Sequence, residues 1–550
     1  MSNRIQHVFC LMLENRSFDH MLGFSGITGT DASSGSQARI NGLNPLGLRS
    51  AVESFQTNSI GGIVKKEGQN WPPSSPISVR QLLTSNMFNG QSYVVQQPAD
   101  YTMPLDPGHE FLDVVQQLGG LAAVYPFGGT YPPVLNSGFV ASYDAAEKRD
   151  EKQDNLGEIM KCYSPGDQLP VLKALAEEFV VCDDWHASMP GPTWPNRFFA
   201  HAASSGGLDH SPSPKDIVQW KAVSGFDFKN GTIFDRMNDS KAKWRIYAGD
   251  EFPVVGALEG IGLTDIHDYD DFAEDVAQPD YSISYTFIEP NYGHFLSDFK
   301  CGTSQHPQDD VTRGESLIKA TYESLRNSPL WNASLLIITW DEHGGFYDHL
   351  PPPAAVAPGD TAPGDPYNRY GFTFEQYGPR VPAVVISPLI PRNLIDHRLY
   401  DHASIPATVE ACFGLRSLTR RDANANNLMS LVSLATPRGD APPRLPSPAS
   451  SGLNDCDPVS FDRRVAPGPG KASKMEPLAV TRPQDSINEG NLPGFLFVVL
   501  RHDLVLSPAG ERAAIMDRFS AIKTRADAAQ YVSEVRPKVR AARNALARRF

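Results

Sequence analysis

The run His7-Val8-Phe9-Cys10-Leu11-Met12-Leu13 passes without a break into Glu14-Asn15-Arg16-Ser17-Phe18-Asp19-His20. More than three hundred residues later, Leu335-Leu336-Ile337-Ile338-Thr339-Trp340 passes in the same way into Asp341-Glu342-His343-Gly344-Gly345. A short, wholly apolar, β-branched run bounded by polar residues reads as an interior strand of a parallel sheet, buried on both faces. Neighbouring residues within a strand point to opposite faces, so Glu14-Asn15 and Asp341-Glu342 can converge only just past the strand ends, where the backbone is free to turn. Ligands collect at strand ends of α/β sheets, and carboxylate and amide oxygens suit a hard divalent cation.

Further runs at 178–182, 244–248, 283–288 and 382–387 read as strands, with helices between them at 168–177, 193–204, 231–240 and 311–328. Alternation of this kind predicts an α/β fold: a three-layer α/β/α sandwich around a mostly parallel central sheet. Residues 23–165 are rich in Gly, Ser, Asn and Pro and read as a long loop-rich insertion over the catalytic edge. The expected organisation is a catalytic domain over 1–435, a Pro-rich linker or draping segment over 436–475, and a C-terminal extension over 476–550. That extension reads as a strand at Phe495-Leu496-Phe497-Val498-Val499-Leu500 and helices near 508–522 and 525–548.

The 550 residues carry a formal charge of −14, which disfavours general nucleic-acid binding. Residues 501–550 hold eleven Lys/Arg against five Asp/Glu, a local +6. The last helix is basic and amphipathic; a solvated face is the plain reading, and peripheral contact with an acidic membrane surface is the alternative. No apolar stretch reaches the ~20 residues that span a bilayer. The N-terminus lacks a signal-peptide pattern, so a cytoplasmic location or export by a non-classical route is expected. The six Cys lack CxxC spacing and are expected to be mostly reduced, with no zinc knot.

A nucleophile is sought between the two strand ends. In Met189-Pro190-Gly191-Pro192-Thr193-Trp194-Pro195-Asn196-Arg197, Thr193 falls at or just before a helix start, with Pro195 in the first turn. A hydroxyl there meets the positive helix end and its N–H groups; the same oxygen could instead serve as an N-cap. Asn196 and Arg197 are placed to hold anionic oxygens, or, for Arg197, to tie the helix to the sheet. His109, His306 and His349 sit in polar, turn-rich loops and can hold phosphoryl oxygens or protonate a leaving alkoxide. Asp19 and His20 are expected behind the first motif; His343 and His402 are further candidates.

Taken with Phe287-Ile288-Glu289-Pro290, His306-Pro307, Gly314-Glu315, Gly378-Pro379-Arg380-Val381-Pro382 and Tyr400-Asp401-His402, these segments make the chain resemble the bacterial phospholipase C and acid phosphatase family. That family includes the plant non-specific phospholipases C and lies within the alkaline-phosphatase-like superfamily. The resemblance spans residues 7 to about 415. It implies an alkaline-phosphatase-like fold and a divalent metal (Ca, Mg, Zn or Fe) held by Glu14, Asn15, Asp341 and Glu342 beside the nucleophile Thr193. His109, His306 and His349 would surround the phosphoryl group, with Asn196 stabilising its oxygens. The implied activity is phospholipase C-type cleavage of a phosphatidylcholine-like phospholipid through a phospho-threonine, with a broad-specificity acid phosphatase as the alternative. A third reading, an inactive relative used for binding, is disfavoured by the retained acids and Thr193. One departure stands out: where many members have Asn-Asp-x-His-Pro, this chain has Thr303-Ser304-Gln305-His306-Pro307. Tyr125, Phe127, Tyr131, Tyr292 and Phe295 are the aromatic residues available for a cationic head group, though scattered aromatics are more often core.

Overall fold

The computed structural model describes residues 4–43, 85–146, 155–220, 222–293, 295–296, 299–461, 480–488 and 490–547. Parts of the 23–165 insertion and of the 436–475 segment therefore lie outside the described residues. Its frame is a sheet of ten strands. They are β1 (His7–Leu13), β2 (Thr28–Asp31), β3 (Gln37–Arg39), β6 (Val180–Cys182), β8 (Trp244–Ala248), β9 (Ile266–Asp268), β10 (Tyr285–Glu289), β11 (Ser334–Trp340), β12 (Ala383–Ile386) and β13 (Leu394–Asp396). A separate hairpin, β4 (Ser85–Phe88) with β5 (Gln91–Val94), lies in the insertion, and β7 (Trp185–His186) pairs with β14 (Tyr400–Asp401).

The strand order is β3-β2-β13-β6-β12-β11-β1-β10-β8-β9. β1 is central and pairs in parallel with β11 on one side and β10 on the other. The β1–β11 register matches Leu13 with Trp340, so the two polar sequels leave the sheet side by side. Both strands are buried from end to end apart from a partly covered His7, as two-faced burial of an apolar run requires. β12 runs antiparallel to both β11 and β6, and β3 is antiparallel to β2; the rest of the sheet is parallel. The insertion supplies β2 and β3 to the sheet edge, so it is more than a cover.

The helices that matter for the site are α1 (Phe111–Gly119), α2 (Pro170–Glu178), α3 (Thr193–Ala202), α4 (Val311–Arg326), α5 (Leu492–Leu506), α6 (Arg512–Ala521) and α7 (Arg525–Ala547). Every residue of α3 is buried, its polar ones included, so it lies inside the protein rather than on a surface. No helix among the described residues is long and apolar enough to cross a membrane.

Two expectations fail here. Residues 495–500 are not a strand; they form the middle of α5. A helix buried all round carries no polar stripe, so its sequence reads like a buried strand. Pro493, in its first turn, was the discriminating signal. Nor are all six cysteines reduced: Cys301 and Cys456 form a disulfide, their Cα atoms 5.4 Å apart across 155 residues of sequence. Spacing alone cannot reveal such a pair. The other four are buried thiols. The bond ties the draping segment to the loop that carries His306, and Asp457 O accepts from Arg313 beside it.

Basic residues of α7 meet acids of the fold, although Arg540 stays exposed. Arg536 and Arg540 meet Glu251, and Arg543 meets Asp268. These three guanidinium groups have acidic partners within the fold.

Candidate active site

Past Leu13 and Trp340 the chain turns sharply. Asn15 adopts a left-handed φ of 57°, and Gly344 one of 64°. Gly344 has no alternative: a Cβ there would lie 2.1 Å from Asn15 O. This close passage holds the two polar sequels together. Asn15 N donates to Asp341 Oδ1 at 3.0 Å, Arg16 N to Glu342 O at 2.9 Å, and Glu14 N to Ser304 O at 2.9 Å. Glu14, Asn15, Asp341 and Glu342 are all fully buried.

The four are not equivalent. Asp341 is hydrogen-bonded at both oxygens: Oδ1 accepts from Asn15 N and from its neighbour Glu342 N (2.7 Å), and Oδ2 accepts from Arg197 Nε (2.9 Å). By contrast, both carboxylate oxygens of Glu14, Oδ1 of Asn15 and Oε1 of Glu342 have no well-formed hydrogen bond among the described residues. Ser304 lies near enough to Glu14 to favour its charged form, but burial and then the charge of Asp341 outweigh this and push the Glu14 carboxyl well above its usual range. Burial likewise raises Asp341 to about 6 and Glu342 to about 7. Buried polar atoms without partners cost roughly 1–3 kcal/mol each, and the raised carboxyls show that Arg197 and His109 do not fully offset the crowding of three buried acids. Orphaned oxygens of this type fit a divalent cation. The open donors come from Glu14, Asn15 and Glu342. Asp341, expected as an equal ligand, is instead drawn to Arg197.

The tightest carboxylate–histidine group among the described residues lies elsewhere. Asp19, Asp348 and His349 have donor atoms within 4.8 Å of one another. Arg380 already fills that place, with Nε 2.9 Å from Asp348 Oδ1 and NH2 3.0 Å from Asp19 Oδ1. Burial alone would raise the Asp19 carboxyl, yet His349 and Arg380 hold it below its ordinary value. This is a hydrogen-bonded structural cluster that docks the loop after Phe346 onto the first motif. His349 belongs to it, through Nδ1 at 2.6 Å from Asp19 Oδ2 and Nε2 at 3.3 Å from Asn41 Oδ1. Both of its nitrogens face that cluster rather than the Glu14–Glu342 pair, so the expectation that it surrounds the phosphoryl group does not match its contacts.

Thr193 is the first residue of α3. The N-cap is Pro192, which has no side chain to cap with, and Thr193 Oγ1 makes no cap bond either. Its oxygen accepts instead from Asn491 Nδ2 at 3.2 Å. One turn on, Arg197 reaches the ends of both central strands, donating from NH2 to Leu13 O (2.9 Å) and Met12 O (3.3 Å) besides its bond to Asp341. Residues four apart share a helix face about 5–6 Å apart, so Thr193 sits on the face that looks at the strand ends. Arg197 is the tie between helix and sheet. Asn196 also departs from expectation: its amide bonds Met189 N, Met189 O, Gly191 O and Pro192 O. All of its capacity braces the loop before Thr193, which makes it a positioning residue.

His109 precedes α1. Its Nε2 is 3.5 Å from Asn15 Nδ2, and Nδ1 is 2.8 Å from Pro107 O. Burial acts to lower its pKa, but Glu342, Asp106 and Glu110 together raise it to about 10. His306, stacked on Phe299 with its Nε2 3.6 Å from Asp106 Oδ2, is driven the other way, well below the usual value, by burial and then by the charges of His109 and Arg16. His343 bonds Gln117 Oε1 at 2.7 Å, and His402 Nε2 is 2.6 Å from Asp341 O; both buttress the acids from behind. His20, stacked on Phe346 and bonded to Arg16, supports the first motif in the same way.

No aromatic cage emerges among the described residues. Tyr125 and Tyr131 pack with Phe111 and Phe372, Phe295 stacks on Phe495, and Tyr292 is buried beneath Arg197 with its hydroxyl on Glu289. Phe127 is largely exposed.

Orphaned acidic oxygens at two strand ends, and a hydroxyl without a capping task on the helix that Arg197 ties to them, suit a hydrolase acting on phosphoric ester bonds, and the chain is one. It belongs to the Phosphoesterase family, whose model matches residues 5–416. It is similar to non-specific phospholipase C6 of Arabidopsis thaliana, 34% identical over 466 residues that cover 81% of this chain and 75% of the relative. Non-specific phospholipase C3 of the same plant is 32% identical over 460 residues, 80% and 76% of the two chains. Phospholipase C B of Mycobacterium tuberculosis (strain ATCC 25618 / H37Rv) is 26% identical over 499 residues, 82% and 81%.

Proposed function

We propose that this chain is a phospholipase C-type phosphodiesterase that cleaves phospholipid head groups, with Thr193 as nucleophile. The observation that carries it is the Thr193 hydroxyl, at a helix start without a capping task and one turn before Arg197, whose guanidinium pairs with Asp341 at the strand ends. The substrate class follows from similarity to plant and mycobacterial phospholipases C over four-fifths of the chain.

Glu14, Asn15 and Glu342 would hold a divalent cation near Thr193, with Asp341 fixed behind them by Arg197. Such a cation, when bound, favours ionisation of the hydroxyl and neutralises phosphoryl charge. Thr193 gives up its proton to water, and its oxygen forms a bond to phosphorus while the ester bond to the diacylglycerol oxygen breaks. His109 supplies that oxygen's proton. Water then gives a proton to His109 as its oxygen attacks phosphorus, the Thr193 Oγ1–P bond breaks, Thr193 regains a proton from solvent, and the phosphorylated head group leaves. The N–H groups that open α3 meet the phosphoryl oxygens.

The test compares release of p-nitrophenol from p-nitrophenylphosphorylcholine and from p-nitrophenyl phosphate, by wild type and Thr193→Ala, after loading with several divalent metals. The diester should be turned over faster. Preference for the monoester would favour the acid phosphatase reading, and appreciable turnover by Thr193→Ala would remove the nucleophile assignment.

A further inference from the structure

The nucleophile's hydrogen-bond partner comes from outside the segment that defines the family. Asn491 lies 75 residues beyond the end of the family match at 416, at the start of α5 in the C-terminal extension. We infer that Asn491 is a catalytic residue, its amide Nδ2–H holding the Thr193 oxygen through the reaction, and that the C-terminal extension thereby completes the active site. This rests on the reading of Thr193 as nucleophile.

Three observations support a built contact rather than a chance touch. First, the amide is oriented. Ser211 Oγ donates to Asn491 Oδ1 at 3.3 Å, which turns Nδ2 toward Thr193 Oγ1 at 3.2 Å. Ser211 is itself fixed by its backbone N–H on Glu110 Oε2 at 3.1 Å. Second, the helix is seated directly on the residue after the nucleophile. At Gly494 a Cβ would lie 2.4 Å from the Trp194 ring, so only glycine allows this approach. Phe495 then packs against Trp194, Tyr292 and Phe295, ring centroids 5.7, 5.2 and 5.1 Å apart. Third, the support is rigid: Leu492 to Leu504 of α5 are all buried, and α5 packs against α7 and α6.

The chemistry follows from the donor's direction. Thr193 Oγ1 accepts a hydrogen bond while it is a hydroxyl, and the same bond becomes charge-assisted, shorter and stronger, as the oxygen ionises. The interaction is thus larger in the transition state than in the ground state, which is the condition for raising kcat. In the phosphoryl-enzyme the oxygen is the bridging ester atom, and the amide remains its donor.

A tie that merely anchors the extension makes a different prediction, and two substitutions separate them. Asn491→Ala removes the donor; kcat should fall on the order of 100- to 1,000-fold, with KM changed far less, as for loss of one preorganised donor. Asn491→Asp keeps size and can still accept from both Thr193 and Ser211, so an anchoring role tolerates it. A catalytic donor does not, because a carboxylate faces the ionising oxygen, and kcat should fall below that of Asn491→Ala. The idea is overturned if Asn491→Ala has wild-type or higher kcat, or if Asn491→Asp is the more active of the two. Should Asn491→Ala unfold, Asn491→Asp against wild type decides: a loss of less than about tenfold overturns it. Thr193→Ala in the same assay separates this failure from that of the nucleophile assignment, since an inactive Thr193→Ala with a fully active Asn491→Ala removes only the role of Asn491.

Discussion

Arg197 Nε and Asp341 Oδ2 form an ion pair 2.9 Å long between two completely buried side chains. The guanidinium also holds the carbonyls of Met12 and Leu13, so one residue of α3 grips the ends of both central strands. It sets the distance between the Thr193 helix and the acidic cluster. Arg197→Met should leave Asp341 buried and unpaired, a loss of about 3–5 kcal/mol. Thermal unfolding measures the loss, and activity should fall with it. Arg197→Lys should recover little, because a single ammonium cannot reproduce the fork.

Thr193→Ala should lower turnover of a chromogenic phosphodiester by more than about 1,000-fold, the scale for removing a covalent nucleophile. Thr193→Ser keeps the hydroxyl and should retain a large part of the rate. A phosphoryl group trapped on residue 193 by acid quench, visible by intact mass, is the direct readout.

Cation binding should be measurable without turnover. If Glu14, Asn15 and Glu342 hold an ion, chelation should lower the melting temperature and a divalent metal should restore it; at 100 times Kd the gain is about 2.7 kcal/mol. Glu14→Gln and Glu342→Gln should abolish the metal-dependent shift. Asp19→Asn should leave it in place, since that residue's partners are His349 and Arg380.

Asn196→Ala should act through stability. It removes four hydrogen bonds that brace residues 189–192 and strands buried backbone groups, at roughly 1–3 kcal/mol for each group left unpaired. Chemical denaturation should report it, together with a fall in kcat as Thr193 loses its fixed position. A variant with full stability and lost activity would instead return Asn196 to direct contact with substrate.

The Cys301–Cys456 bond closes a long loop. The chain-entropy model gives about 5 kcal/mol for a loop of 155 residues, and measured values usually fall nearer 2–4. Cys456→Ser should therefore unfold at lower denaturant, and dithiothreitol should bring the wild type down to the same midpoint. The Ser304–His306 segment follows Cys301 directly, so the variant should also show faster amide exchange there.

The two central strands and their polar sequels were readable because burial on both faces leaves an unbroken apolar run that stops abruptly at oxygen donors. β1 and β11 keep the expected limits. The antiparallel direction of β12 was not readable, since Ala383–Ile386 looks the same in either sense. The candidate site was legible as residue types. What each type does depends on contacts that spacing does not encode. Asn196 and His349 have the chemistry for a phosphoryl site, yet their hydrogen bonds are taken by a loop and by Asp19. Asn491 carried only a local signal, an Asn before Leu492-Pro493 at a helix start, and its meeting with Thr193 spans 298 residues.

The in-phase pairing of Leu13 with Trp340 makes the sheet a ruler. Slipping β1 by one residue against β11 would shift Glu14 about 3.3 Å along the strand and turn its neighbours to the opposite face. A deletion inside either strand cannot be absorbed locally; it needs a matching deletion in a strand encoded over three hundred residues away. Length changes in this chain are therefore expected to accumulate in the insertion and the draping segment, while the two strands persist as a matched pair.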